Sequence, residues 1–172
     1  MMTGLWRDTK EGAIRTAQEL IRLSPDTVRI YPTIVMEHTL LAEKYRAGEY
    51  VPMSLEEAID LCSKLLYLFE DAQISVIRLG LHSTPQLEAG KIAGPYHPAF
   101  RELCESRQFF KKVRDWLQLQ KIPCGLITLK INPRYRSRAV GCNKQNLLEW
   151  KRIGYQITLE EEEGLALGSL LV

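Results

Sequence analysis

Apolar residues recur along this chain with two different periods, and the switches between them lay out its elements. Ala13, Ile14, Ala17, Leu20 and Ile21 follow helical spacing. Asp8 stands before that stripe with Glu11 three residues on, the form of a capping box. Ser24-Pro25 stops the helix, because the residue before a proline avoids the α region. Residues 26–31 then read as a strand carrying Val28 and Ile30, ended by Pro32. A short helix is expected over 40–47, closed by Gly48. Ser54, with Glu57 three residues later, opens the clearest helix, whose stripe is Leu55, Ala58, Ile59, Cys62, Leu65, Leu66 and Phe69.

Residues 74–81 are almost continuously apolar, which is how a strand covered on both faces reads. A Gly/Pro-rich loop over 90–98 leads into a long helix over 99–117, with Phe100, Leu103, Phe110, Val113 and Leu117 on its core side. His97, just before Pro98, suits the start of that helix. Residues 1–5 read as the tail of a strand turning at Gly4. Strands separated by helices predict an α/β fold with a parallel sheet. Ligands gather at the carboxyl ends of such strands, here Gly4-Leu5, Tyr31-Pro32 and Gly80 to His82. Three strands make at most part of a barrel, so the expectation for residues 1–120 is a partial (half) β/α barrel that starts partway through its fold.

Past Pro123 the pattern changes. Residues 126–131 alternate, with Ile127, Leu129 and Ile131 on one face. Asn132-Pro133 turns the chain, the stretch RYRSR follows, and Gly141 makes a second turn. A helix from Asn143 carries Leu147, Leu148 and Trp150, Gly154 closes it, and residues 155–159 form a last strand. Residues 121–172 thus predict a small, basic β-α-α-β unit.

Composition limits the class. The chain has 172 residues, 45% apolar and 26% charged, with eleven Gly and eight Pro. That length buries a core without disulfide or metal staples. The longest apolar candidate, residues 61–69, is broken by Ser63 and Lys64, so no membrane span or membrane partner is expected. The N-terminus shows no basic segment leading into an apolar one, which makes the cytoplasm the expected compartment. Cys62, Cys104, Cys124 and Cys142 lack the close spacing of a metal site, and His38, His82 and His97 are far apart. The four thiols read as free, and no metal ligands are expected.

Charge is blocky. Residues 107–152 hold twelve basic and two acidic residues, the remainder 11 basic and 19 acidic, and Glu160 to Glu163 form an acidic run. A block of that sign holds a polyanion by releasing counterions, which makes nucleic acid the natural partner. The plainer alternative is a solvated basic face balancing an acidic one.

Three stretches resemble a known family. MMTGLWRDT resembles a strand-turn-helix pattern, M-x-G-L-P-G-D-T, of radical S-adenosylmethionine (SAM) proteins, with Trp6-Arg7 standing where Pro-Gly is usual. VRIYPTIV, with TLLAEKYRAGEYVPMSLEEAI after it, and AGPYHPAFRELCESR resemble the branch related to the elongator catalytic subunit and oxygen-independent coproporphyrinogen oxidase. The resemblance covers about residues 1–115 and implies the C-terminal part of a TIM-type barrel. In the intact family SAM and a [4Fe-4S] cluster are the cofactors. The cluster hangs on C-x3-C-x2-C, because three thiolates must converge on it. That spacing is absent here, so no cofactor is expected on this chain alone, and activity would need a separate N-terminal radical SAM half.

The resemblance puts cofactor binding on Gly4, Leu5, Tyr31 and Arg78. Arg78 is a charge inside an apolar strand, and the plainer alternative is pairing with a nearby carboxylate. The second unit resembles a KH (RNA-binding) module, in which a G-x-x-G loop joins two helices and approaches the nucleic-acid backbone. Gly141 to Lys144 takes that place, with Lys144 at the second glycine. RNA contact is expected from Arg134, Arg136, Arg138, Gly141, Lys144 and Lys151, with no catalytic residue assigned. Two functions follow: part of a radical SAM enzyme of tRNA modification, or a non-catalytic RNA-binding or interaction module. An open sheet edge would also favour self-association.

Overall fold

The capping box at Ser54 is in place. Its hydroxyl accepts from the Glu57 N–H at 3.2 Å, and the Glu57 carboxylate accepts from the Ser54 N–H at 3.0 Å. Two of the helix's orphan donors are met this way, and α3 (Leu55–Asp71) runs for 17 residues. It buries Ala58, Ile59, Cys62, Leu65, Leu66 and Phe69, each large side chain worth roughly 1.5–3 kcal/mol of burial. The stripe packs against α1 (Lys10–Arg22) and the strands. Strand β1 is Met2–Thr3, β2 is Thr27–Pro32 and β4 is Ser75–Leu79. They form one sheet in the order β1-β2-β4, parallel throughout, as the alternation of strands and helices required.

The computed structural model describes residues 1–166. It has two compact units, Met1–Cys104 and a second beginning at Glu105. The division falls inside α5 (Phe100–Leu119), so the 120/121 boundary read from the sequence lies at that helix's end.

In the first unit the helices cover one face of the sheet, and Val28, Ile30, Val76 and Leu79 point into that core. The other face carries Met2, Thr27, Arg29, Ser75 and Ile77, all exposed, with Met2 at 49% and Ile77 at 52%. The expectation of a strand buried on both faces at 74–81 is therefore corrected for the described residues. The apolar run includes Ile77, which sits where the β2–β4 register shifts and faces away from the helices.

A second small layer went unread in the sequence. Strands β3 (Val35–Met36) and β5 (Lys91–Ala93) pair antiparallel, with α2 (Leu40–Arg46) and α4 (Pro85–Gly90) beside them in the chain. Strands of two and three residues leave no periodicity to find. Val35, Ala42 and Tyr50 form their buried cluster.

In the second unit β6 (Gly125–Ile131) and β7 (Tyr155–Glu161) are parallel neighbours, in register from Gly125↔Tyr155 to Ile131↔Glu161. Two short helices, α6 (Arg136–Val140) and α7 (Gln145–Arg152), lie between them in the chain. Ile127, Leu129 and Ile131 face a core made with Phe109, Val113, Leu117, Ala139, Trp150 and Tyr155. The aromatic groups interlock, with Phe110 stacked on Trp150 at 5.9 Å and Phe109 edge-on to it at 6.4 Å.

Candidate functional site

The loop from β1 to α1 lines a cavity of about 410 Å3 at the carboxyl end of β1. Gly4 leaves the strand at φ +73°, a left-handed conformation that glycine takes without strain. Asp8 then folds the loop. One carboxylate oxygen accepts from the Gly4 N–H at 3.2 Å and the other from the Thr9 N–H at 2.8 Å. The helix cap expected at Asp8 is instead Thr9, whose hydroxyl accepts from the Gly12 N–H at 2.9 Å. The carboxylate is drawn back to Gly4, which leaves the capping position to its neighbour.

Opposite, the β3–β5 layer holds Tyr50. Its hydroxyl donates to the Gly4 carbonyl at 2.6 Å, and burial pushes that phenol above its ordinary value. Leu5, Val51, Met53 and Leu61 give the cavity apolar wall, while Arg7, Asp8, Lys10 and Glu49 give it charge. Lys10 pairs with Glu57 at 3.1 Å and Lys44 with Glu49 at 2.6 Å. Trp6 carries two cations on its ring, Arg7 at 4.3 Å and Lys44 at 4.9 Å from the centroid.

The four cysteines divide by burial. Cys62 and Cys104 are buried in the first core, while Cys124 and Cys142 are exposed. Burial pushes the Cys62 thiol up to about 12. Among the described residues no three His, Cys, Asp or Glu side chains converge as metal ligands, and no helix is long and apolar enough to cross a membrane.

Residues 25–109 match the Radical_SAM C-terminal domain family. The chain carries a radical SAM C-terminal domain. It is also similar to a tRNA uridine(34) acetyltransferase of Methanocaldococcus jannaschii, 51% identical over 39 residues. That stretch is 23% of this chain and 7% of the relative.

Within the radical SAM domain's unit, Gly4 and Leu5 line the cavity, whereas Tyr31 and Arg78 do not. Tyr31 stands beside Met2 in the β1–β2 register, and Arg78 beside Arg29 in the β2–β4 register. Neither arginine has a carboxylate at ion-pair distance among the described residues, which sets aside the carboxylate-paired reading of Arg78. His97 takes up its helix-start role: its Nδ1 accepts from the Ala99 N–H at 3.1 Å.

The second unit separates its basic residues into two sets. Arg136 pairs with Glu161 at 2.7 Å, Arg138 with Glu105 at 2.9 Å and Lys130 with Glu162 at 3.2 Å. Arg134, Lys144 and Lys151 are exposed and have no carboxylate partner among the described residues. Gly141 sits at φ +75°, where an added Cβ would lie 2.7 Å from the Ser106 hydroxyl and 3.2 Å from Asn146. Asn143 and Lys144 follow at φ 50° and 61°. Buried Asn146 donates to the carbonyls of Ser106, Arg138 and Ala139 at 3.1, 2.9 and 3.2 Å.

Sequence reading missed Trp6, Arg7 and Tyr50 as cavity residues. The signal for the first two was available, since they occupy the departure from Pro-Gly. Tyr50 had none, because its reach to Gly4 spans 46 residues of chain.

Proposed function

We propose that this chain supplies the C-terminal wall and an RNA-holding surface of a radical SAM protein of the elongator-like branch, acting in tRNA modification. The carrying observation is the three-stranded parallel sheet whose helices cover one face only, inside a chain with a radical SAM C-terminal domain. Parallel sheets ordinarily have both faces covered. Further parallel strands closing a β/α barrel would enclose Met2, Arg29, Ile77 and Arg78, and would satisfy the free edges of β1 and β4. The partial similarity to a tRNA uridine(34) acetyltransferase supports RNA as the substrate class. In the intact family SAM and a [4Fe-4S] cluster supply the chemistry, with the cluster cysteines coming from outside this sequence.

On this reading the KH-like second unit grips RNA through Arg134, Lys144 and Lys151, those of its six expected RNA contacts that are cations without acidic partners among the described residues. Arg136 and Arg138 contribute less, because each must first leave a carboxylate. The test is tRNA binding by the full chain, read by fluorescence anisotropy at stepped salt. Replacing Arg134, Lys144 and Lys151 with Ala is expected to weaken binding about tenfold or more and to flatten the salt slope by about 2–3, near 0.9 per lost phosphate contact. Unchanged affinity and slope would remove the RNA surface.

The cysteine set favours a second reading, a non-catalytic RNA-binding or interaction module. Anaerobic iron-sulfur reconstitution of this chain alone is then expected to give no 5′-deoxyadenosine from SAM. Its formation would overturn that reading.

A further inference from the structure

We infer that Glu161 and Glu162 set the selectivity of the RNA surface, by occupying two of its cations where phosphates would otherwise sit. The inference rests on reading the second unit as that surface, and it names the residues that decide which polyanion stays bound. Glu160 to Glu163 carry four of the second unit's seven acids. Two of the four meet cations of the basic block. Glu161 holds Arg136 at 2.7 Å, and Glu162 holds Lys130 at 3.2 Å. Backbone bonds fix the run independently of these pairs. The Glu162 N–H donates to the Ile131 carbonyl at 2.9 Å, and the Asn132 side-chain amide donates to the Leu165 carbonyl at 2.8 Å. The chain from Glu162 to Leu165 is thereby tied to the turn at which the basic stretch leaves β6. Its carboxylates stay presented there even when a cation changes partner.

Both pairs are open to water, and pairs so exposed are weak and screened by salt. A polyanion that touches only this corner exchanges one weak pair for another and gains little. A ligand already held by Arg134, Lys144 and Lys151 is different. It brings its next phosphates to Arg136 and Lys130 at high local concentration, and these displace the carboxylates. The acids therefore penalise a loosely engaged polyanion more than one that fits the whole surface, which is discrimination by a repulsive element.

The experiment uses the full chain, titrated with tRNA and with poly(U) at stepped salt and read by fluorescence anisotropy. The double variant Glu161→Gln, Glu162→Gln keeps both side-chain shapes at exposed positions. It is expected to bind poly(U) about five- to tenfold more tightly and tRNA only about twofold, as two weak pairs removed would allow. The preference for tRNA then falls by about threefold or more, and the poly(U) salt slope steepens by about 1.4, near 0.7 for each added single-strand phosphate contact. Glu163 has no cation partner among the described residues, so Glu163→Gln should leave the preference as it is. On an Arg136→Ala background the gain from Glu161→Gln should vanish, because no guanidinium remains to be freed. An unchanged preference in the double variant, an equal shift from Glu163→Gln, or a gain that survives Arg136→Ala overturns the inference. If Ala at Arg134, Lys144 and Lys151 still weakens tRNA binding in that case, the RNA surface stands and this inference alone falls.

Discussion

The two units solve the same problem, a parallel sheet with helices on one side, with different outer faces. In the first, the uncovered face presents Met2 and Ile77 beside Arg29 and Arg78. In the second, the outer positions are mostly polar: Thr128 and Lys130 on β6, Gln156, Thr158 and Glu160 on β7, with Leu126 the apolar exception. Charge divides them as well. The first unit holds 11 basic and 14 acidic residues, the second 12 and seven. Yet the second unit's excess is partly consumed by its own acids, through Arg136–Glu161, Arg138–Glu105 and Lys130–Glu162. The first face leaves two apolar side chains, Met2 and Ile77, half exposed beside its cations, while the second leaves Leu126. On the proposed reading, the first unit's outer face is the one that further strands would cover.

The sharpest way to separate the units is to damage one core. Trp150 is fully buried among Phe109 and Phe110, and its indole N–H has no partner among the described residues. Trp150→Ala should cost about 3–5 kcal/mol by opening a large cavity. Trp150→Phe should cost much less, since no hydrogen bond is lost. Hydrogen exchange should show β6 and β7 losing protection while β2 and β4 keep theirs. Equal loss in both sheets would mean that the units do not unfold separately.

Next in size is Asn146, a buried amide serving three carbonyls. Asn146→Ala strands those acceptors and should cost about 2–3 kcal/mol. Gly141→Ala follows at about 1–3 kcal/mol, from a side chain forced into φ +75° against Ser106. Both are read by chemical denaturation. If Gly141→Ala proved harmless to folding yet abolished tRNA binding, the glycine would serve backbone approach to RNA rather than packing.

The sequence made the long elements legible because their signals are local. Ser54 with Glu57, the α3 stripe, and the alternation at Ile127, Leu129 and Ile131 each need fewer than 20 residues of context. Parallel pairing followed from strands separated by helices. What stayed hidden depends on contacts distant in the chain. Ile77 reads as buried until the register shift against β2 turns it outward. The Tyr50 hydroxyl reaches Gly4 only through the β3–β5 layer, whose strands are too short to signal themselves. Arg136 and Arg138 read as free cations because the acids that meet them, Glu161 and Glu105, lie 25 and 33 residues away. Asp8 was half legible: its place before a helix was clear, but its two bonds belong to the loop that shapes the cavity.

The smallest expected effect tests whether acid acts on the first unit through its cap. Glu57 is held down to about 2, against an ordinary 4.5, first by the Ser54 backbone N–H, then by the Lys10 and Ser54 side chains. A depressed folded value stabilises the native state fully above 4.5, and that contribution is lost as pH falls through about 2. Wild type should therefore melt above Glu57→Gln at pH 6, and the gap should close between pH 4.5 and 2. Ser54→Ala removes the cap at every pH and should cost about 1 kcal/mol near neutrality. Exchange protection in α3 should follow the closing gap while α7, whose N-cap has no side-chain hydrogen bond, stays unchanged. A gap that persists to pH 2 would place Glu57's contribution outside its ionisation, and would leave the acid sensitivity of the first unit to other carboxylates.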